Sequence, residues 1–324
     1  MAMTSTQEQV LIAPQTQTGH PTGRRWRRAF GPDLDGYGFI LPALIIMVCL
    51  VVYPFCLAVW YSLSDAMIGE TGHWVGLENF RYILTMDSIF LQTLRNTLIF
   101  AVSSVVLKSV FGLGAALLLQ RATVCKRFFR GTLLVPFVAP TALTTLGWWL
   151  IFDPTYSHIN WALAHVWPLK LLGLGPYSWL GDPTLALASC ILVNFWRGLP
   201  FFTLTIFAGL LAIPNTLYEA ADTEGATTWH KFWHITLPLL RPVLAVVILF
   251  STIFTLADFN IVYVLTRGGP MNSTHLFATY SFTLGILNRE ISLGAAVSLF
   301  LFPLLLLVVI FQLRMVRKES SYGV

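Results

Sequence analysis

Glu219-Ala220-Ala221-Asp222-Thr223-Glu224-Gly225-Ala226, followed by Ile235-Thr236-Leu237-Pro238, is a short charged island between two long apolar segments. Ionised carboxylates are costly inside hydrocarbon, so this island belongs outside the lipid. Ala220 and Ala221 favour helix and permit close approach by another surface, and Gly225 turns the chain between two short helices. Trp229, Phe232 and Trp233 recur at helical spacing and form an apolar stripe for lipid or neighbouring spans. Pro238 and Pro242 mark the re-entry into the membrane. The run therefore reads as a rigid docking surface strung between two membrane helices.

Working outward, the composition agrees. The chain has 324 residues, is 56% hydrophobic and 11% charged, and has a mean hydropathy of +0.71. A soluble domain carries roughly 25% charged residues. A polytopic, all-α membrane protein is the expectation. The net charge of +5 does not indicate nucleic acid, because the basic residues sit beside apolar segments rather than on a soluble face. Cys49, Cys56 and Cys190 lie in apolar segments and Cys125 in a basic loop, without metal-ligand spacing, so neither a disulfide nor a metal is expected.

Six apolar segments exceed the ~20 residues needed to cross a bilayer. They run approximately over 38–63, 93–119, 131–152, 184–211, 242–265 and 291–313. Residues 1–37 form a polar cytoplasmic tail and 314–324 a second one, with the charged loop at about 212–241. Arg24, Arg25, Arg27 and Arg28 precede the first span; Arg121, Lys126, Arg127 and Arg130 separate spans two and three. Lys231 and Arg241 separate four and five, and Arg314, Arg317 and Lys318 follow the last. Lys/Arg excess marks the cytoplasm, so both termini are expected there. The paired arginines do not make an export signal, because the apolar run after them is too long and lacks a cleavage site.

The charged island resembles the cytoplasmic coupling loop of bacterial ABC importer permeases, whose pattern is E-A-A, a Gly three residues later, then I-x-L-P. The resemblance covers nearly the whole membrane portion. Leu41-Pro42-Ala43 and Tyr53-Pro54 are similar to the first span of sugar-type permeases, and Val75-Gly76-Leu77-Glu78-Asn79-Phe80 to their first outer loop. Trp196-Arg197-Gly198-Leu199-Pro200-Phe201, Ala208-Gly209-Leu210-Leu211-Ala212-Ile213-Pro214 and Tyr263-Val264-Leu265-Thr266-Arg267-Gly268-Gly269-Pro270 resemble the fourth span, its exit and the fifth-span exit. The branch indicated is carbohydrate uptake, of the sugar or glycerol-phosphate kind, first permease of the pair. Glu224 departs from the usual Asp, and Arg267 stands where Gly is common.

The resemblance implies six spans with a coupling-helix loop in the bacterial cytoplasmic membrane. It implies a second homologous permease, two ATPase subunits below, an extracytoplasmic solute-binding protein and a sugar-like solute. ATP and Mg would be bound by the ATPase subunits and no cofactor by this chain, which holds no G-x-x-x-x-G-K-[ST] loop. Glu219, Ala220, Ala221, Asp222, Glu224 and Gly225 are the expected ATPase-coupling residues.

Polar residues inside spans mark the expected solute path. Asn194, Arg197, Asp258, Asn260 and Tyr263 are its candidates. Arg197 has two roles open to it. Its guanidinium either satisfies carbonyls freed by Pro200, such as that of Trp196, or grips solute. Ser251, Thr255 and Asp258 share one helical face at i, i+4 and i+7, serving either helix packing or the path. Arg197 and Asp258 are expected to offset each other's burial. Lys108 reads as a satisfied interior charge. The alternative class is an ion-coupled secondary transporter, which needs intramembrane carboxylates or broken-helix ion sites. Only Asp258 supports it, and it leaves the charged island without a purpose.

Overall fold

A computed structural model of the protein describes residues 32–121, 126–167, 169–173 and 175–320. The expected N-terminal arginine cluster, Cys125 and the end of the C-terminal tail lie outside the described residues. The chain divides into two units, Met1–Phe55 and Cys56–Val324.

In the first unit, helix α1 (Pro32–Met47) carries Pro42 and passes through a π-helical turn at Val48–Val52. The apolar run continues as α2 (Tyr53–Ser62), giving a span over Phe39–Ser62.

The second unit is also helical, and among the described residues its extended pairing is one bridge between Ser64 and Trp74. Helix α3 (Glu78–Thr85) leads to the long α4 (Ser88–Arg121). Then come α5 (Lys126–Val138), α6 (Thr141–Phe152) and α7 (His158–His165). The second long helix is α8 (Pro183–Leu211), started by Asp182, whose carboxylate accepts the N–H groups of Thr184 and Leu185. The charged island forms α9 (Asn215–Thr223) and α10 (Thr228–Lys231). After these follow α11 (Leu237–Leu256), α12 (Asn260–Leu265), α13 (Phe277–Phe282) and α14 (Ile291–Ser320).

Among the described residues, five helical stretches are long and apolar enough to cross a membrane: Phe39–Ser62, Ser88–Arg121, Pro183–Leu211, Thr228–Leu256 and Ile291–Ile310. A sixth exists only if Phe128–Val138 and Thr141–Phe152 count together, and these are bent by 93°. The segment expected at 131–152 is thus two helices joined at a sharp bend. Pro140 fixes its own φ at −56° and pushes Ala139 before it out of helical geometry.

The fifth segment also departs from expectation. Its helix ends at Leu256, and the residues before α12 are not helical. Asp258 lies in this break instead of on a helical face with Ser251 and Thr255. Its Oδ1 accepts the N–H of Ile261, in the first turn of α12, at 3.2 Å. A short carboxylate that competes for nearby backbone donors favours a chain break over a continuing helix.

Helices α4 and α8 pack along each other, and α11 packs on both and on α14. One apolar cluster joins Ala116 and Leu119 to Phe202, Ile206, Leu210, Leu240 and Val247. A second joins Phe100 and Phe152 to Cys190, Val193, Ile261 and Leu265. On each of these three segments a short polar stretch falls between the two clusters: Lys108 on α4, Asn194 and Arg197 on α8, and Thr255 on α11 with Asp258 just after it. Lipid is as apolar as Leu, so close packing holds these helices and polar groups select which faces meet.

The outer connections are tied by side chains. Asn79 Nδ2 donates to the carbonyls of Ser62 at 2.9 Å and Ser64 at 2.7 Å. Asn160 donates to the Tyr177 carbonyl at 2.9 Å and accepts from Trp179 Nε1 at 2.9 Å. A single cysteine at position 178 and another appended after Ser320, each in a Cys-free background, are expected to label from opposite sides of the membrane. Labelling of both from one side would overturn the odd number of crossings, three, expected between them.

Candidate functional site

The polar stretches of α4, α8 and α11 meet. Lys108 is 3% exposed, and its Nζ donates to Asn194 Oδ1 at 2.7 Å and Thr255 Oγ1 at 2.9 Å. Asn194 in turn donates from Nδ2 to Asp258 Oδ2 at 2.9 Å. The Asn194 amide is thus oriented by its neighbours: its oxygen faces the ammonium and its nitrogen faces the carboxylate. A cation and an anion are joined through one neutral group, and Asp258 completes its acceptor set with Ile261.

This network forms one wall of a cavity of about 360 Å³. Asn194, Arg197, Asp258 and Asn260, all path candidates from the sequence, line it together with Lys108, Ser251 and Thr255. Phe137, Phe201, Phe254 and Phe259 supply aromatic faces, and Phe137 stacks near-parallel on Phe201 at 6.2 Å. Tyr263 is not a lining residue. Its ring stacks on Phe259 at 4.8 Å and meets Phe282 at 5.2 Å, so it supports the wall from behind.

Arg197 behaves unlike the other two ionised groups. Its Nε is buried without a hydrogen-bond partner. It makes no ion pair with Asp258 among the described residues, whose side-chain ion pairs are His73–Asp65 and Lys231–Asp222. Arg197 and Asp258 therefore form no direct pair: Asp258 is held by Asn194 and Ile261, while Arg197 and Lys108 both act on it through coulombic attraction. Arg197 also makes no hydrogen bond to the Trp196 carbonyl. The Thr203 hydroxyl instead takes the carbonyl of Leu199, at 2.9 Å.

Lys108 was legible as an interior charge but not as a cavity residue. The signal was available, since an ionisable group in the middle of an apolar helix points by default to a site. Gly198 explains how it fits. A Cβ there would stand 2.6 Å from Lys108 Cδ, and Lys108 cannot retreat without releasing Asn194 or Thr255. Gly198→Ala is expected to destabilise the purified chain by about 1–3 kcal/mol, the range for overpacking. The comparison is Gly114→Ala, where a Cβ meets nothing within 4 Å. A thermal midpoint equal in both variants would contradict the contact.

The charged island forms a second, separate surface. Helix α9 ends at Thr223, Gly225 takes φ +78°, and the Thr227 hydroxyl starts α10 by accepting the N–H of His230. Lys231 Nζ lies 2.6 Å from Asp222 Oδ1 and ties α10 to α9 across the turn. Glu219, Ala220, Asp222, Glu224 and Gly225 are exposed and Ala221 is half-buried. Trp229, Phe232 and Trp233 form the expected aromatic cluster, with Trp229 and Trp233 centroids 5.6 Å apart. Tyr218 Oη meets Thr236 Oγ1 at 2.9 Å and fixes the loop to the base of α11.

Outside the spans, His275 is packed against Gly268 and bonded to Thr279 Oγ1 at 3.2 Å. Burial lowers its pKa to about 4, so the ring is neutral at ordinary pH and serves packing.

Residues 37–320 match the family model described as binding-protein-dependent transport system inner membrane component. A trehalose/maltose transport system permease protein of Thermococcus litoralis is 35% identical over 283 residues, covering 87% of this chain and 93% of that one. A sulfoquinovosyl glycerol transport system permease protein of Agrobacterium fabrum is 32% identical over 300 residues, covering 91% and 95%. Among solved structures, a chain of a bacterial alginate ABC transporter, in complex with an alginate-bound periplasmic protein, superposes with a TM-score of 0.77. It shares 20% identity over 93% of this chain and all of its own, and so supports the fold.

Proposed function

Because the chain belongs to the family of binding-protein-dependent transport system inner membrane components, we propose that it forms half of the path by which an ABC importer takes up a sugar or sugar-like solute. It is a non-catalytic permease subunit, and the ATPase is a separate partner. The relatives named for trehalose/maltose and for sulfoquinovosyl glycerol support the sugar class. The observation that carries the path is the polar and aromatic cavity where α11 breaks, flanked by α4 and α8. Hydroxyl-rich solutes are gripped by such polar groups, and their apolar ring faces lie on aromatic walls.

The partners follow from that role. A second homologous permease completes the path, two ATPase subunits dock on the island around Glu219 and Gly225, and an external binding protein delivers the solute. ATP and Mg sit on the ATPase subunits. The chain crosses the bacterial cytoplasmic membrane with both termini inside. Purification of the tagged chain from its native membrane is the test. The expected result is copurification of an ATPase and a second permease, with ATP hydrolysis stimulated by a liganded binding protein. Sugar-coupled currents from the chain alone, without ATP, would instead establish an ion-driven transporter.

A further inference from the structure

The three ionised groups at the cavity do not balance. Lys108 and Asp258 offset one another through the Asn194 amide, and Thr255 takes a second Lys108 donor. Asp258 has its remaining oxygen on the Ile261 N–H. Two cations, Lys108 and Arg197, thus face one carboxylate, so the wall carries one excess positive charge, and the half-buried Arg197 has its Nε buried and unpartnered. A planar five-donor fork with an unused donor suits an oxyanion with two acceptor atoms. The carbonyl freed by Pro200 does not take it, and Asp258 lies beyond ion-pair distance. Beside Arg197 stand Phe137 and Phe201, which offer flat faces to a ring.

We propose that the solute is an acidic carbohydrate: a sugar body seated on the aromatic wall, with a carboxylate, phosphate or sulfonate received by Arg197. This rests on the cavity being the solute path. The hydroxyls of a neutral sugar can accept from the guanidinium but bring no charge to balance it. An acidic group supplies the missing charge and both acceptor atoms.

The test uses the intact complex with its second permease and ATPase, in nanodiscs of phosphatidylcholine. The exposed lining residue Asn260 is replaced by Cys in a Cys-free version of this chain, and the rate of thiol labelling is followed by mass spectrometry. D-Glucuronate and D-glucose 6-phosphate are expected to slow labelling at concentrations about tenfold or more below those needed for D-glucose, the worth of a charge-assisted contact. Arg197→Gln should erase that difference while still allowing glucose to protect, and Arg197→Lys should keep part of it. Copurification of the ATPase with each variant checks assembly.

Equal protection by glucuronate and glucose in the parent complex would overturn the acidic solute but leave the path reading intact. Protection by none of the three sugars would overturn both. Slowed labelling in phosphatidylglycerol nanodiscs without sugar would place a lipid headgroup on Arg197 and overturn the acidic solute. A preference for glucuronate that survives Arg197→Gln would remove Arg197 as its receiver.

Discussion

Gly225→Asp is expected to abolish ATP-driven uptake while the chain remains inserted and folded. Within this chain a Cβ at Gly225 meets nothing within 4 Å, so the substitution has room. The backbone there has φ +78°, a region that Asp tolerates better than most residues, so the conformational cost is about 1 kcal/mol or less. Any larger loss must come from a surface that this chain does not contain. An added carboxylate and Cβ at a packed contact remove about 2 kcal/mol or more of docking, which is over tenfold in affinity. Uptake should fall by at least that factor, with ATPase copurification falling in parallel. Gly225→Asn, neutral and equally tolerant of this backbone, separates bulk from charge. Normal uptake by the Asp variant would remove the loop from the docking surface.

The second large effect concerns Lys108. Lys108→Met strips Asn194 and Thr255 of their donor and removes one of the two cations, Lys108 and Arg197, that act on the buried Asp258 carboxylate. Leaving a buried acceptor without its donor costs about 1–3 kcal/mol. Two acceptors lose theirs here, and the carboxylate loses part of its charge compensation. The variant should show a markedly lower thermal midpoint in detergent and little chain in the membrane. Asp258→Asn alone should also destabilise, since the ammonium is then the orphan. Combining the two should recover much of the loss, as a double-mutant cycle with a coupling well above 1 kcal/mol. Strict additivity would dissolve the network. The same cycle built on Arg197→Gln and Asp258→Asn should show coupling through charge alone, because no hydrogen-bonded group joins those two side chains.

The membrane class, the long apolar elements and the island were legible from composition and patterning alone. The bend at Pro140 was not, because hydropathy averages over a window and does not register a change of direction. Asp258 was correctly picked out as an unusual charge, but assigning it a helical face assumed that the helix continued. The carboxylate itself helps to end that helix, by taking the Ile261 N–H. Asn194, Arg197 and Asn260 were legible for the same reason, as polar groups in apolar surroundings. The aromatic wall was not, since the chain has 24 Phe and nothing in their spacing distinguishes four that share a cavity. The orientation of the Asn194 amide and the partner of Lys108 depend on how α4 and α8 meet, which no local pattern contains.

One mechanical consequence follows from the stretch Thr228–Leu256. It is 29 residues of helix that begin beside the island turn and end at the break occupied by Asp258. At 1.5 Å per residue it is a rod of roughly 43 Å. It is pinned to the loop by the Tyr218–Thr236 bond, about 30 Å from its far end, where the joint is held by Asn194 and the Ile261 N–H on Asp258. A tilt of about 5° about Thr236 sweeps the joint through roughly 2.6 Å at that length. That is close to the 2.9 Å between Asn194 and Asp258. The lever and its latch are therefore matched in scale: a movement small at the membrane surface is large enough to make or break the contact that closes the cavity wall.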